Sequence, residues 1–189
     1  QIFATFYEIA GGMSKEREEG TYARLLMSPT SIGSIVLGKT LYDLGLGIIR
    51  TFIVLGLAIY GYGARPNTDL GTLIALSLLI AIITMGFGFL VSSLRVGTRA
   101  VVIIEFFLIL FMFAFSGFII DRELLRGVSQ TISNLLPWAY GIDMLKRTVL
   151  IGQPLLTLTT DMQFVLASIV FFYGVAYLLL VVFRERLVV

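Results

Sequence analysis

Residues 33–40, Gly-Ser-Ile-Val-Leu-Gly-Lys-Thr, match the phosphate-binding pattern G-x-x-x-x-G-K-[ST] letter for letter. In that motif backbone N–H groups surround the phosphates of a nucleotide, the lysine reaches the terminal phosphates and the hydroxyl binds Mg²⁺. Such a loop must follow a buried strand of a soluble parallel sheet. Here Ser-Pro-Thr-Ser precedes the pattern and a long apolar stretch follows it. We therefore expect Gly33 and Gly38 to allow close helix packing instead, while Lys39 extends to a membrane surface.

Three ionisable residues, Asp43, Arg50 and Glu105, lie inside otherwise apolar stretches. A charge in hydrocarbon is costly and by default marks an ion pathway or a structural pair. Arg50 lies roughly 14 Å and Glu105 roughly 8 Å into their stretches from the same side. The sequence predicts that Arg50 pairs with Glu105, with Asp43, on the same helical face as Arg50, as the alternative partner. In an ion-coupled secondary transporter these three residues would carry the coupling charges.

Residues 14–31, here named the polar segment, form the densest charged region of the chain. Both signs of charge crowd together immediately before Gly20, at Glu16, Arg17, Glu18 and Glu19. Thr21 then offers an N-cap oxygen to a short helix. One side of that helix carries Tyr22, Leu25 and Leu26. The pattern predicts a small amphipathic helix held in water beside a membrane domain, and a plain solvated connector is the alternative.

The composition indicates an integral membrane protein. Of its 189 residues 58% are hydrophobic and 14% are charged, and its mean hydropathy is +0.96. Soluble domains carry about 25% charged residues. The absence of Cys and His removes disulfides, thiol chemistry and the usual zinc ligands. A net charge of +2 without a basic run gives no reason to expect a nucleic-acid partner.

Four stretches are long enough to cross a hydrocarbon core of about 30 Å. They are Leu41–Tyr62, Leu70–Leu94, Ala100–Ile120 and Met162–Phe183. Residues 1–13 are apolar apart from Glu8, but as helix they rise only about 20 Å, so we expect them to be the end of an earlier span of a longer protein. The prediction is an all-α polytopic membrane protein, with residues 1–189 in one transmembrane domain. Lys and Arg are enriched on one side of these spans, which places the polar segment and the C-terminus in the cytoplasm.

Residues 121–161, here named the long connection, have a regular spacing of apolar residues that an ordinary loop lacks. Apolar residues recur at helical spacing on both sides of Pro137, at Leu124, Leu125, Val128, Ile132, Leu135 and Leu136 before it and at Trp138, Ile142, Leu145 and Val149 after it. Pro137 suits the first position of a helix, and Gly152 suits the end of one. Two short amphipathic helices are predicted, and they lie at the outer surface or enter it as a re-entrant pair.

Read in order, residues 16–29, EREEGTYARLLMSP, resemble the cytoplasmic coupling segment of ABC type-2 transporter permeases. Residues 115–117 and 135–143 resemble the serine-glycine element and the proline-tyrosine helix that precede the last span in that family. The chain departs from the family pattern at residues 119–121, where a proline is usual, and at Leu136, where an asparagine is usual. These departures concern the detailed shape of the outer helices.

The resemblance implies a permease subunit of an ATP-driven exporter that moves a lipid, drug or glycan across the cell membrane. It implies pairing with a second permease, as a homodimer, and with ATPase subunits that bind the ATP and Mg²⁺, so that this chain has no catalytic site or cofactor of its own. Contacts with the ATPase are implied for Glu16, Arg17, Glu18, Glu19, Gly20, Thr21, Tyr22, Leu25 and Leu26. The outer helices are implied to use Ser116, Gly117, Pro137 and Tyr140. The rival hypotheses are the ion-coupled secondary transporter and a purely structural membrane scaffold, both of which lack an ATPase partner.

Overall fold

The computed structural model describes residues 2–29, 31–117, 119 and 124–185, without the side chains of Leu26, Leu156 and residues 183–185. Eight α-helices form in this part of the chain, which confirms the all-α prediction. They are α1 (Ile2–Glu18), α2 (Thr21–Met27), α3 (Ile32–Gly56), α4 (Leu70–Ser93), α5 (Thr98–Phe115), α6 (Val128–Leu135), α7 (Pro137–Lys146) and α8 (Thr159–Glu185). Short π-helical turns extend α3 over Leu57–Gly61 and α7 over Arg147–Ile151, and a 3₁₀ turn at Leu155–Thr157 precedes α8.

Four helical stretches are long and apolar enough to cross a membrane, as predicted. They are Ile32–Gly61, Leu70–Ser93, Thr98–Phe115 and Thr159–Val182. The chain is therefore a multi-pass membrane protein.

Two predicted span boundaries are wrong for local reasons. The first span starts well before Leu41, because the Ser31 side chain accepts a hydrogen bond from the Ser34 backbone N–H at 3.1 Å and so caps α3 at its true start. The third span ends at Phe115, because Gly117 turns the chain with a φ of 79°. The predicted end of that span, Ile120, lies outside the described residues, as does Asp121 at the start of the long connection.

Helix α4 is the central element of the bundle, and α1, α3, α7 and α8 pack around it. Two glycines on α4 allow the closest approaches. A Cβ at Gly88 would lie 3.1 Å from the Ile9 Cβ of α1, and a Cβ at Gly86 would lie 2.8 Å from the Tyr173 ring of α8. Small residues here let the helices pack closely.

The loops divide between the two ends of the bundle as alternating spans require. At one end, Asn67 in the turn between α3 and α4 donates its backbone N–H to the Val149 carbonyl oxygen at 3.0 Å, which joins this turn to the long connection. At the other end, the polar segment binds the start of α5 through Glu18 and Thr98. The polar segment and the long connection thus lie at opposite ends of the bundle.

Helix α7, which α6 precedes, enters the bundle rather than lying across its end. Pro137 is the first residue of α7, as predicted, and the adjacent Trp138 donates its indole N–H to the Thr84 hydroxyl at 2.9 Å. Thr84 lies roughly 21 Å along α4 from Leu70. One turn further along α7, a Cβ at Gly141 would lie 2.9 Å from Ile80 of α4. This packing against the middle of α4 favours the re-entrant alternative of the two arrangements predicted for the pair.

Candidate functional site

The phosphate-binding pattern at residues 33–40 lies entirely inside α3 and forms no loop. The Ser34 N–H donates to the Ser31 hydroxyl, the Ile35 N–H to the Ser31 carbonyl oxygen, and the later N–H groups bond along the helix, so they do not surround a phosphate. Lys39 places its ammonium 2.6 Å from the Glu16 carboxylate. Neither glycine is approached closely by another helix among the described residues: an added Cβ at Gly38 would meet open space, and one at Gly33 would meet only the Ser31 hydroxyl, at 3.7 Å.

Glu16, Arg17 and Glu18, the last three residues of α1, bind three different spans. Glu16 forms the ion pair with Lys39 of α3, and both side chains are mostly buried, with 32% and 24% of their surface exposed. In this structure these charges bind the chain itself, and their contact with a partner protein stays a prediction.

The guanidinium of Arg17 contacts α4. It donates to the Ser92 hydroxyl at 3.3 Å and to the Ser14 hydroxyl of its own helix at 3.2 Å, and both serines are buried. Burial lowers the pKa of the Arg17 guanidinium below its ordinary value. The contact therefore holds a cation against the end of the central helix.

The carboxylate of Glu18 contacts α5. One oxygen accepts the backbone N–H of Thr98 at 2.8 Å, and the other accepts the hydroxyl of Thr98 at 2.9 Å. The Thr98 hydrogen bonds lower the pKa of the Glu18 carboxyl. Because Thr98 is the first residue of α5, Glu18 supplies the N-terminal cap that Gly97 cannot provide.

Glu19 differs from the three residues before it. It forms only an exposed (i, i+4) pair with Lys15, at 3.8 Å. Gly20 follows with a φ of 74° and turns the chain into α2. The N-cap prediction for Thr21 is wrong, because Gly20 occupies that position and Thr21 is already helical.

Helix α2 turns Tyr22 inwards. Tyr22 is 8% exposed and packs in a cluster with Met13 of α1, Phe89 of α4 and Leu180 of α8. Tyr22 thus packs inside the bundle in this structure, and its contact with a partner stays a prediction. Leu25 is half-buried, and the Leu26 side chain lies outside the described residues. The outward face of α2 instead carries four exposed side chains, those of Thr21, Ala23, Arg24 and Met27.

The intramembrane charges form a different pair from the predicted one. Arg50 forms its ion pair with Glu8 of α1, and neither Glu105 nor Asp43 is its hydrogen-bonded partner. Helix α1 packs against α3, which brings Glu8 to Arg50. Asp43 is buried and interacts electrostatically with Glu8 and Arg50. No ion-pair partner of Glu105 occurs among the residues that the structure describes.

The outer-helix residues make local contacts. The Ser116 hydroxyl donates to the Met112 carbonyl oxygen, and Lys146 donates to the Gly117 carbonyl oxygen, which fastens α7 to the end of α5. The Tyr140 hydroxyl donates to the Asn134 carbonyl oxygen at 3.0 Å and so joins α7 to α6. Next to these contacts lies a cavity of about 570 Å³ with a mainly apolar lining, which includes Ser77, Ile80, Met112, Ser116, Leu145 and Lys146.

Comparisons with known proteins identify the family of the chain. A family model described as ABC-2 type transporter matches residues 1–150. The chain is 25% identical over 169 residues to an Escherichia coli K12 protein named "Probable multidrug ABC transporter permease YbhS", covering 88% of this chain and 44% of that protein. It is 26% identical over 138 residues to "Probable multidrug ABC transporter permease YbhR" of the same strain, covering 73% of this chain and 38% of that protein. The chain thus spans less than half the length of these curated relatives, and no solved structure matches it significantly.

Proposed function

Because the chain belongs to the ABC-2 type transporter family, we propose that it is part of the permease subunit of an ATP-driven exporter. The observation that carries this proposal is the polar segment, in which a short helix stands at one end of the bundle while the residues before it hold three spans. A helix that was only a solvated connector would need none of these contacts. The ATP and Mg²⁺ would be bound by a separate ATPase subunit, and a second permease would complete the assembly.

The outward face of α2 is the proposed contact with the ATPase. Met27 is 80% exposed and stands one turn after Ala23, so the two lie on the same helical face, with Arg24 beside them. Docking of a helix in a groove uses such apolar anchors at helical spacing. Tyr22 holds α2 to the bundle from the opposite side and leaves this face open.

A double change, Ala23→Asp with Met27→Asp, in the intact permease tests the contact. Burial of one such apolar side chain is worth about 1.5–3 kcal/mol, so we expect the affinity for the ATPase to fall roughly tenfold or more. Val128→Asp is the matched control, because Val128 is also exposed but lies at the opposite end of the bundle. Copurification of the ATPase and its hydrolysis rate are the measurements. If the double variant binds the ATPase as the unaltered permease does, the polar segment is only a solvated connector.

The proposed orientation places the polar segment and the C-terminus in the cytoplasm. Topology tags within residues 15–19 and after Val189 should report the cytoplasm, and a tag within residues 153–161 should report the outside. A cytoplasmic signal from the last tag would contradict the four-span arrangement.

The cargo that we propose is apolar or amphipathic, which favours a lipid or a drug over a glycan. The apolar lining of the cavity beside α7 supports this class, and so do the multidrug names of the relatives. The rival, an ion-coupled transporter, would use the charges around Arg50, and consistent absence of an ATPase partner would favour it. Uptake of a lipid-like dye into inverted vesicles that contain permease and ATPase, with and without ATP, separates the two.

A further inference from the structure

We propose that Glu16, Arg17 and Glu18 are positioning residues that transmit movement of α2 separately to α3, α4 and α5. The inference rests on the proposed function, since it concerns what happens when an ATPase moves α2. It adds that the transmission is divided, with one side chain serving each span.

Helix geometry explains why adjacent residues reach different spans. Successive residues of an α-helix point about 100° apart around its axis. The end of α1 is surrounded by its neighbours, so three successive side chains meet Lys39 of α3, Ser92 of α4 and Thr98 of α5. No two of the three contacts share a span.

The connection from these contacts to α2 is short. Only Glu19 and Gly20 separate Glu18 from the first residue of α2, and Glu19 donates its backbone N–H to the Lys15 carbonyl oxygen at 2.9 Å. The helical hydrogen bonding of α1 thus continues to the turn at Gly20. Because the connection is short and hydrogen-bonded, a displacement of α2 should also displace the end of α1.

The contacts differ from ordinary surface charge pairs. The pair Lys15–Glu19 in the same segment is 3.8 Å apart with 69% and 58% of the two side chains exposed, whereas Glu16 and Lys39 are 2.6 Å apart and mostly buried. Exposed pairs contribute little because water screens them. The chain thus offers a matched control of the same charge types a few residues away.

The test uses three cysteine reporters at the far end of the bundle. The 189 residues contain no cysteine, so each reporter is introduced into a clean background once any cysteines elsewhere in the intact permease are replaced. Tyr62→Cys reports on α3, Leu70→Cys on α4 and Ile119→Cys on α5, and all three native residues are exposed. The measurement is the rate of labelling by a water-soluble maleimide, with and without Mg-ATP, in the complex with the ATPase.

Three variants then break one contact each. We expect Glu16→Lys to reduce the ATP-dependent change in labelling at Tyr62→Cys roughly fivefold or more and to leave the other two reporters responsive. Arg17→Ala should do the same at Leu70→Cys, and Glu18→Ala at Ile119→Cys. A merely structural role would reduce all three responses together, and that outcome overturns the inference.

Two exchanges of charge complete the experiment. Glu16→Lys with Lys39→Glu should restore the response of α3, which also shows that the single variant had not simply misfolded. Exchange of Lys15 and Glu19 should change no reporter. If the unaltered complex shows no ATP-dependent change at any reporter, the proposed function itself fails. If it does show one and the variants respond alike, only the divided transmission fails.

Discussion

Glu18 caps the first turn of α5 through Thr98, although the two residues are 80 positions apart in the chain. Helix caps are usually supplied by the residue directly before the helix, which here is Gly97, a residue without a side chain. The start of α5 therefore depends on the position of α1.

Removal of this cap should loosen the start of α5. We expect Glu18→Ala to raise the rate of amide hydrogen exchange at Thr98 and in the turn after it, because a backbone N–H loses its acceptor. Glu19→Ala is the control, since the one ion pair of Glu19 among the described residues is the exposed pair with Lys15. Equal exchange at Thr98 in the two variants would contradict the cap.

The same cap should depend on pH in one direction. The Thr98 hydrogen bonds lower the pKa of Glu18, so its contribution is fully present above the ordinary glutamate pKa and is lost as the pH falls through the lowered value. Exchange at Thr98, corrected for its intrinsic pH dependence, should stay constant from neutral pH down to the ordinary glutamate pKa and rise below it. In Glu18→Gln this step should be missing.

Charge exchange identifies the partner of Arg50. Arg50→Glu should reduce the yield of folded protein, because it places like charges together, and Glu8→Arg in the same chain should restore that yield. Glu105→Arg should not restore it. Recovery with Glu105→Arg instead would show that the predicted pair, and not the pair in this structure, is formed in the membrane. The measurement is the monodisperse fraction after detergent extraction.

Substitution of Gly38 tests whether residues 33–40 form a helix or a phosphate-binding loop. Gly38→Ala should stabilise α3 by about 1 kcal/mol, since the added methyl meets open space and alanine favours a helix. Gly86→Ala is the contrasting change, expected to cost about 1–3 kcal/mol because its methyl would collide with the Tyr173 ring. Thermal unfolding in detergent measures both. A loss of stability in Gly38→Ala would mean that a second chain packs at this position.

Trp138 and Thr84 should act as a pair. Trp138→Phe removes the indole donor, and Thr84→Val removes its acceptor. We expect each variant to lower the free energy of unfolding by roughly 1–3 kcal/mol. Because both remove the same hydrogen bond, the double variant should cost less than the sum of the two. If the losses of stability in the two single variants simply add in the double variant, Trp138 and Thr84 do not form this hydrogen bond.

The sequence is sufficient to predict the number of spans and the first residue of α7, because long apolar runs and a proline act locally. It is not sufficient to predict the partner of Arg50, since Glu8 belongs to a stretch too short to be counted as a span. The sequence is also not sufficient to predict the inward position of Tyr22, for a related reason. The helical phase places Tyr22, Leu25 and Leu26 on one side of α2, but only the tertiary packing decides which side faces the bundle.

The depth of the α6–α7 pair has a consequence for how the protein is made. The break between these helices lies far inside the bundle, where lipid offers no hydrogen-bond partners for the backbone at Pro137. The pair is therefore stable in the membrane only when other helices enclose it, and α8, which packs against α7, follows it in the chain. This hairpin can accordingly pack only after α8 has been synthesised, so a product truncated ahead of Thr159 should expose residues 128–151 to protease on the side of the membrane where the long connection emerges.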